Sequence, residues 1–340
     1  MKKYKICKIL LVILAIFLCV AFYELLGICV AYKKQPEVSN TTKKETKNGS
    51  WNECSENTER AVIIEKNPEA LLQRVRLIKN AKKEIILSTF AFQSDESGKL
   101  ILGALHDAAD RGVHIRLLVD GMESWIDMEG NPYFYGLSSH ENVEIKLYNK
   151  ANPLKPWKMM GRMHDKYLIA DGKRYILGGR NTYNYFLGDF PGHKNYDRDV
   201  LVVCDEPEKE NSVNQLLDYF ETIWDQEDSG YFHNNKKLAN RKSVKNAVLE
   251  LQNSYQKYFE ENKERICETD YTDETFETEK ITLVSNPIHT GSKEPVVWYQ
   301  LGELMKNAKN RVKIHTPYII CNDMMYNTWE EIAENVSDFS

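Results

Sequence analysis

Hydrophobic and polar positions divide the chain into distinct stretches. From Ile9 to Tyr32 the residues are apolar with one interruption, Glu24. About 20 such residues span a bilayer as a helix, so residues 1–34 read as a transmembrane signal-anchor. Residues 35–58 are rich in Lys, Asn, Thr and Glu without a period, the pattern of a polar tether. Beyond them, short apolar runs alternate with amphipathic stretches. Strands are predicted at Ala61–Ile64, Glu84–Phe92, His114–Val119, Val143–Leu147, His164–Ala170, Arg174–Leu177 and Asp199–Val203. Helices are predicted at Pro68–Asn80, at Lys99–Arg111 (ended by Gly112) and at Glu210–Trp224; in the first, Leu71, Leu72, Val75 and Ile78 share a face. Asp171-Gly172 between two strands is a hairpin signal. The alternation predicts an α/β layered domain over residues 59–230, a mixed sheet flanked by helices.

Residues 231–280 read as a charged helical linker and an acidic loop. The helix spans Lys236–Glu264 with Val244, Val248, Leu251 and Tyr255 on its apolar face, and the loop spans Cys267–Lys280. A strand at Ile281–Ser285 opens a second unit, 281–340. This unit repeats the first. Lys79-Asn80-Ala81-Lys82 leads into Ile85-Ile86-Leu87-Ser88-Thr89, and Lys306-Asn307-Ala308-Lys309 leads into Val312-Lys313-Ile314-His315-Thr316 at the same spacing.

Charge and cysteine content narrow the partners. The formal net charge of -5 gives no general basic footprint, so nucleic acid is not the expected partner. Lys2, Lys3, Lys5 and Lys8 precede the apolar run. They favour an inside N-terminus, a single pass through the cell membrane and an extracytoplasmic domain, although Lys33 and Lys34 on the other flank oppose this. Cys54, Cys204, Cys267 and Cys321 are scattered without metal-ligand spacing, and no metal or other cofactor is expected.

The chemistry concentrates in one place. His164 and Lys166 stand two residues apart, and alternate residues of a strand face the same side. An imidazole and an ammonium aimed at one point suit a phosphate ester, as nucleophile and as cation for its oxygens. Asp171 follows, then Gly178, Gly179 and Asn181, completing H-x-K-x4-D-x6-G-G-x-N. Glycines there let backbone approach a ligand closely.

These residues resemble the phospholipase D superfamily, and the cardiolipin synthase branch most closely. Supporting stretches are Asp95-Glu96-Ser97-Gly98, Arg111 to Asp120, and Thr316-Pro317-Tyr318. The resemblance implies a phospholipase D-like layered sandwich, duplicated. His164 would be the nucleophile that forms a phosphohistidine, and Lys166 and Asn181 the phosphate binders. Asp171 would be the supporting carboxylate that orients the site from behind, with Gly178 and Gly179 as supporting backbone. It implies a membrane-anchored phosphatidyltransferase that joins two phosphatidylglycerols and needs no metal. Family enzymes use two such motifs. Carrying the internal repeat across puts a second H-x-K near roughly position 390, so 281–340 is expected to be an incomplete second copy. A homodimer would then complete the site. A hydrolase on lipid, a nuclease, and an inactive fragment are the alternatives.

Weaker signals stay open at this level. Trp157, Met159 and Met160 suit a membrane-facing loop or a packed one. Tyr183, Tyr185, Phe186 and Phe190 suit core packing or an acyl channel. Asp197 and Asp199 suit turns or support of the site. His106, His114, His193, His289 and His315 lack a lysine two residues on, and read as surface or structural.

Overall fold

The computed structural model describes residues 2–49, 59–204, 211–233, 235–316 and 318–340. Cys54, the end of the tether, Glu210 and Pro317 lie outside them. In chain order the elements are α1 (Lys2–Tyr32), α2 (Asn40–Lys47), β1 (Glu59–Ile64), α3 (Asn67–Asn80), β2 (Glu84–Thr89), α4 (Glu96–Asp110) and β3 (His114–Asp120). Next come α5 (Gly121–Asp127), α6 (Pro132–Ser138), β4 (Val143–Tyr148), β5 (Tyr167–Ala170), β6 (Arg174–Gly178), β7 (Asp199–Cys204), α7 (Ser212–Trp224) and β8 (Ser229–Tyr231). The last are α8 (Lys242–Glu261), α9 (Lys263–Cys267), β9 (Phe276–Glu277), α10 (Val296–Lys306), β10 (Arg311–Val312), α11 (Asp323–Asn335) and β11 (Asp338–Phe339).

Local chemistry sets several boundaries. Pro68 sits in the first turn of α3, where its missing N–H is harmless. Asp95 caps α4 by accepting from Gly98 N at 3.0 Å. Asp171 (φ 55°) and Gly172 (φ 62°) both take the left-handed conformation that a two-residue hairpin between β5 and β6 requires.

Among the described residues, nine strands form one mixed sheet in the order β8-β4-β3-β2-β5-β6-β7-β1-β9. Strands β2, β3 and β4 run parallel; the other neighbours are antiparallel. Alternation along β2 sends Ile85 and Leu87 to one face and Ile86 to the other. On the first face lie α3, α4, α6 and α8, with Leu71, Leu102, Phe134 and Leu251 buried. On the second lies α7, whose Phe220 and Trp224 pack with Ile169 and Val202.

Three segments differ from expectation. Helix α8 falls in the stretch read as a linker, yet it belongs to the first core. Val244, Ala247, Leu251, Tyr255 and Phe259 are buried. A Cβ at Gly103 of α4 would meet Leu251 O at 2.7 Å, so the two helices cross backbone to backbone. Residues 281–285 form no strand. Their backbone is used on α7 instead, with Leu283 N donating to Gln215 Oε1 at 2.8 Å. The polar tether contains α2, docked where Thr42 donates to Glu294 Oε1 at 2.6 Å.

After α10, strands β10 and β11 pair in parallel around α11, the same order as α3, β2, α4 and β3. Asp95 and Asn322 cap α4 and α11 at matching distances past the repeated tetrapeptides. Helix α1 is long and apolar enough to cross a membrane, and its apolar stretch is not buried against the rest of the chain.

Candidate active site

Residues 162–166 run extended into β5. His164 and Lys166 precede the strand proper, although Gly178 N still donates to Lys166 O at 3.1 Å and prolongs the ladder. Asp120, fully buried at the end of β3, holds this approach. Its carboxylate accepts from Met163 N at 3.0 Å and from Arg162 Nε at 2.9 Å, and also from Met122 N at the start of α5. The residue before the imidazole is thereby tied to a central strand.

The predicted pair does share one side. The His164 ring meets Phe90 edge-on with centroids 4.6 Å apart, and Lys166 Nζ lies 5.2 Å from the same ring centroid. Lys166 Nζ donates to His164 O at 2.6 Å. Neither ring nitrogen of His164 is hydrogen-bonded among the described residues. Burial, then the neighbouring Lys166, lowers the His164 pKa, against the pull of Asp120. The neutral imidazole, with a free lone pair, is therefore the resting form near pH 7. Burial brings Lys166 down to about 8, opposed by Asp165, Asp197 and Asp120.

The glycines serve close approach. A Cβ on Gly178 would stand 2.0 Å from Asp199 Oδ1, and one on Gly179 would stand 2.0 Å from Asp197 Oδ2. Asp199 is buried between Arg74 (2.9 Å) and Arg180 (3.2 Å). Arg180 also donates to the backbone oxygens of Ile64 and Asp197, which locks the chain after β6. Asn181 is buried, and its Oδ1 accepts from Ala91 N at 3.2 Å; its Nδ2 donates to nothing among the described residues.

Asp171 lies elsewhere. It sits at the far end of β5, and its carboxylate accepts from Lys82 N (2.9 Å), Lys83 N (2.7 Å) and Glu84 N (3.0 Å). It anchors the start of β2 to the hairpin. Four strand residues, Tyr167–Ala170, lie between it and Lys166, so Asp171 supports the site through the hairpin and the start of β2.

A cavity of about 380 Å³ opens beside His164 and Lys166. Gly178 and Arg162 line it with them, α7 supplies Leu216 and Tyr219, and the later segment supplies Leu283 to Asn286, Lys293 and Val297. Asp165 faces α7, where the Tyr219 hydroxyl donates to its Oδ2 at 2.7 Å. Burial raises the Asp165 pKa. His164 is the one imidazole among the lining residues. His106 and His140 flank Asp110, His114 faces Glu84, His233 faces Glu129, and His315 meets Arg198. Tyr183, Phe186 and Phe190 pack on the main core, and Tyr185 stacks against His193, so none of the four lines the cavity.

Residues 74–224 match the family model for the cardiolipin synthase, phospholipase D-like domain. This region is similar in sequence to the phospholipase D-like domains of cardiolipin synthases. The chain is 30% identical over 212 residues to an uncharacterized protein of Helicobacter pylori J99, covering 58% of this chain and 39% of that one. It is 30% identical over 154 residues to cardiolipin synthase C of Escherichia coli K12, covering 41% and 31%. Against cardiolipin synthase 1 of Staphylococcus aureus MRSA252 it is 34% identical over 117 residues, covering 34% and 23%. These matches span well under two thirds of each relative's length. The solved phosphatidylserine synthase of Haemophilus influenzae Rd KW20 is 15% identical, with a TM-score of 0.54 over 87% of this chain and 65% of that one, and shares the fold.

Asp120, Asp165, Tyr219 and Lys293 were not singled out as site residues from sequence. A carboxylate closing a central parallel strand was the available signal for Asp120, since open α/β sheets place ligands at that edge. The other three meet only in three dimensions.

Proposed function

We propose that the chain is a membrane-anchored phosphatidyltransferase of the cardiolipin synthase type. The observation that carries the lipid reading is the packing of α1 on the loop leading into His164. Tyr23 donates to Leu154 O at 3.0 Å and Tyr32 to Thr290 O at 2.6 Å. A Cβ on Gly27 would lie 2.5 Å from Pro156, so the apolar helix and the loop meet where only glycine fits. Leu154, Trp157 and Met160 remain exposed on that loop, continuous with the exposed apolar side chains of α1. An apolar surface of this kind suits lipid, and a tethered site suits a substrate that stays in the bilayer.

In this reading the neutral His164 imidazole attacks the phosphorus of one phosphatidylglycerol. A phosphorus–nitrogen bond forms, the phosphorus–glycerol bond breaks, and glycerol leaves with a proton from a second imidazole. Lys166 and the Asn181 amide neutralise the non-bridging oxygens. The hydroxyl of a second phosphatidylglycerol then attacks, its proton returns to the second imidazole, and His164 is released with cardiolipin. A second motif-bearing domain supplies that imidazole, and a second copy of this chain is the arrangement we favour. The repeated element order after residue 281 fits a related second unit.

The test is turnover in phosphatidylglycerol vesicles. Cardiolipin and glycerol should appear in equal amounts and vanish with His164→Ala. Phosphatidic acid in their place would assign a hydrolase, and DNA cleavage without lipid turnover would exclude both.

A further inference from the structure

We infer that Lys293 forms a second anion subsite in the His164 cavity, one that holds the phosphate of the acceptor phospholipid while Lys166 serves the phosphate under attack. The identity of the ligand rests on the transferase reading; the ability to take two phosphates at once does not.

Lys293 lies outside the family-matched region, on the segment that crosses α7 and covers the cavity. Ser285 and Asn286 of the same segment line it alongside. The cavity is thus bounded by two cation-bearing walls, the approach to β5 with Lys166 and the crossing segment with Lys293.

Lys293 forms no hydrogen bond or ion pair among the described residues, yet it is partly withdrawn from water. A desolvated ammonium without an anion is unfavourable unless something supplies one. Asp165 lies within electrostatic reach of both Lys166 and Lys293. It is one carboxylate facing two ammonium groups, and it already accepts from Tyr219. Its negative charge would oppose a second anion. Burial disfavours that charge and raises the Asp165 pKa.

A phosphatidyl transfer between two phosphatidylglycerols brings two phosphates together across one glycerol. About 380 Å³ is within the usual size of a small-molecule site, and the two walls can each engage one phosphate. Water as acceptor would need no second cation, so Lys293 favours transfer over hydrolysis.

The experiment uses the full chain in detergent micelles, with His164→Ala in every variant to prevent turnover. Two soluble probes are compared by calorimetric titration: glycerol 1,3-bisphosphate and glycerol 1-phosphate. The bisphosphate should bind at least about tenfold more tightly, the gain of one further charge-assisted contact. Lys293→Met should abolish that preference, Lys293→Arg should retain most of it, and Lys166→Met should weaken both probes. Equal binding of the two probes by the parent protein, or a preference that survives Lys293→Met, overturns the proposal. Failure of the transferase reading would appear separately, as no cardiolipin from the wild-type chain while the bisphosphate preference stands.

Discussion

Lys166 Nζ donates to the backbone oxygen of His164 at 2.6 Å, so the cation of the pair is held by the residue whose ring it accompanies. The two groups need opposite protonation states. His164 is reactive above its pKa, which lies below the ordinary histidine value, and Lys166 is cationic below about 8. The rate at limiting substrate should therefore trace a bell, rising below pH 6.5 and falling near pH 8. Lys166→Arg should move the alkaline limb upward, since guanidinium keeps its proton. Lys166→Met should lower kcat by ~10²–10³.

The same lysine weakens the fold. In the unfolded chain it keeps its proton to the usual lysine range, and in the folded chain it loses it near pH 8. Between those values the unfolded state binds more protons, so wild-type stability rises with pH across that interval. Lys166→Met should be more stable than wild type at pH 7, by on the order of 2 kcal/mol. The difference should shrink by pH 10. Urea unfolding at several pH values measures it, and a variant less stable at pH 7 would contradict the argument.

Asp120 is predicted to act on His164 through both geometry and charge. Asp120→Asn would leave Arg162 short of its main anion and loosen Met163. Loss of one partner of a buried pair costs about 3–5 kcal/mol, and the unfolding midpoint should fall accordingly. Asp120 also raises the His164 pKa against burial. The acid limb of the pH profile should therefore move to lower pH in the variant. A limb that stays in place would assign Asp120 a purely structural role.

Asp171 is predicted to act through the fold of the motif. Its three backbone donors are at Lys82, Lys83 and Glu84, none of which lines the cavity. Asp171→Ala should lower stability by about 1–3 kcal/mol, and Asp171→Asn by less, since Asn tolerates the left-handed backbone better. At temperatures where both are folded, kcat should stay within about twofold of wild type, a limit set by the distance from the reacting groups. A loss of orders of magnitude in a fully folded variant would return Asp171 to the chemistry.

The same contrast explains what could be read from residue order alone. Period-two and period-3.6 patterns, the Asp171-Gly172 hairpin and the His164–Lys166 spacing are local, and the layered fold follows from them. The helix at α8 is legible but its place is not, because its apolar face looks the same whether it bridges units or packs on Gly103. The strand expected at 281–285 failed because strand propensity does not supply a free sheet edge, and α7 offered Gln215 instead. Asp165, Tyr219 and Lys293 come from three separated segments, and nothing in their neighbours marks them as one cluster.

The loop before His164 yields the last prediction. Leu154 is 77% exposed, Trp157 45% and Met160 57%, although Asn149 Nδ2 pins the loop backbone at Lys158 O (2.7 Å) and Gly161 O (2.8 Å). A loop whose backbone is pinned yet displays its large apolar side chains is suited to a medium that solvates them, and Tyr23 ties it to the helix that would enter that medium. Leu154→Asp with Trp157→Asp should lower turnover on phosphatidylglycerol vesicles by at least about tenfold, because charged side chains at the interface lose the apolar contribution of the residues they replace. Turnover of a short-chain, water-soluble phosphodiester should stay near the wild-type rate, since neither residue lines the His164 cavity. Comparing the two substrates in one preparation separates the effects. Equal losses on both would mean that the loop supports the fold of the site, and that its apolar side chains have no part in reaching the lipid.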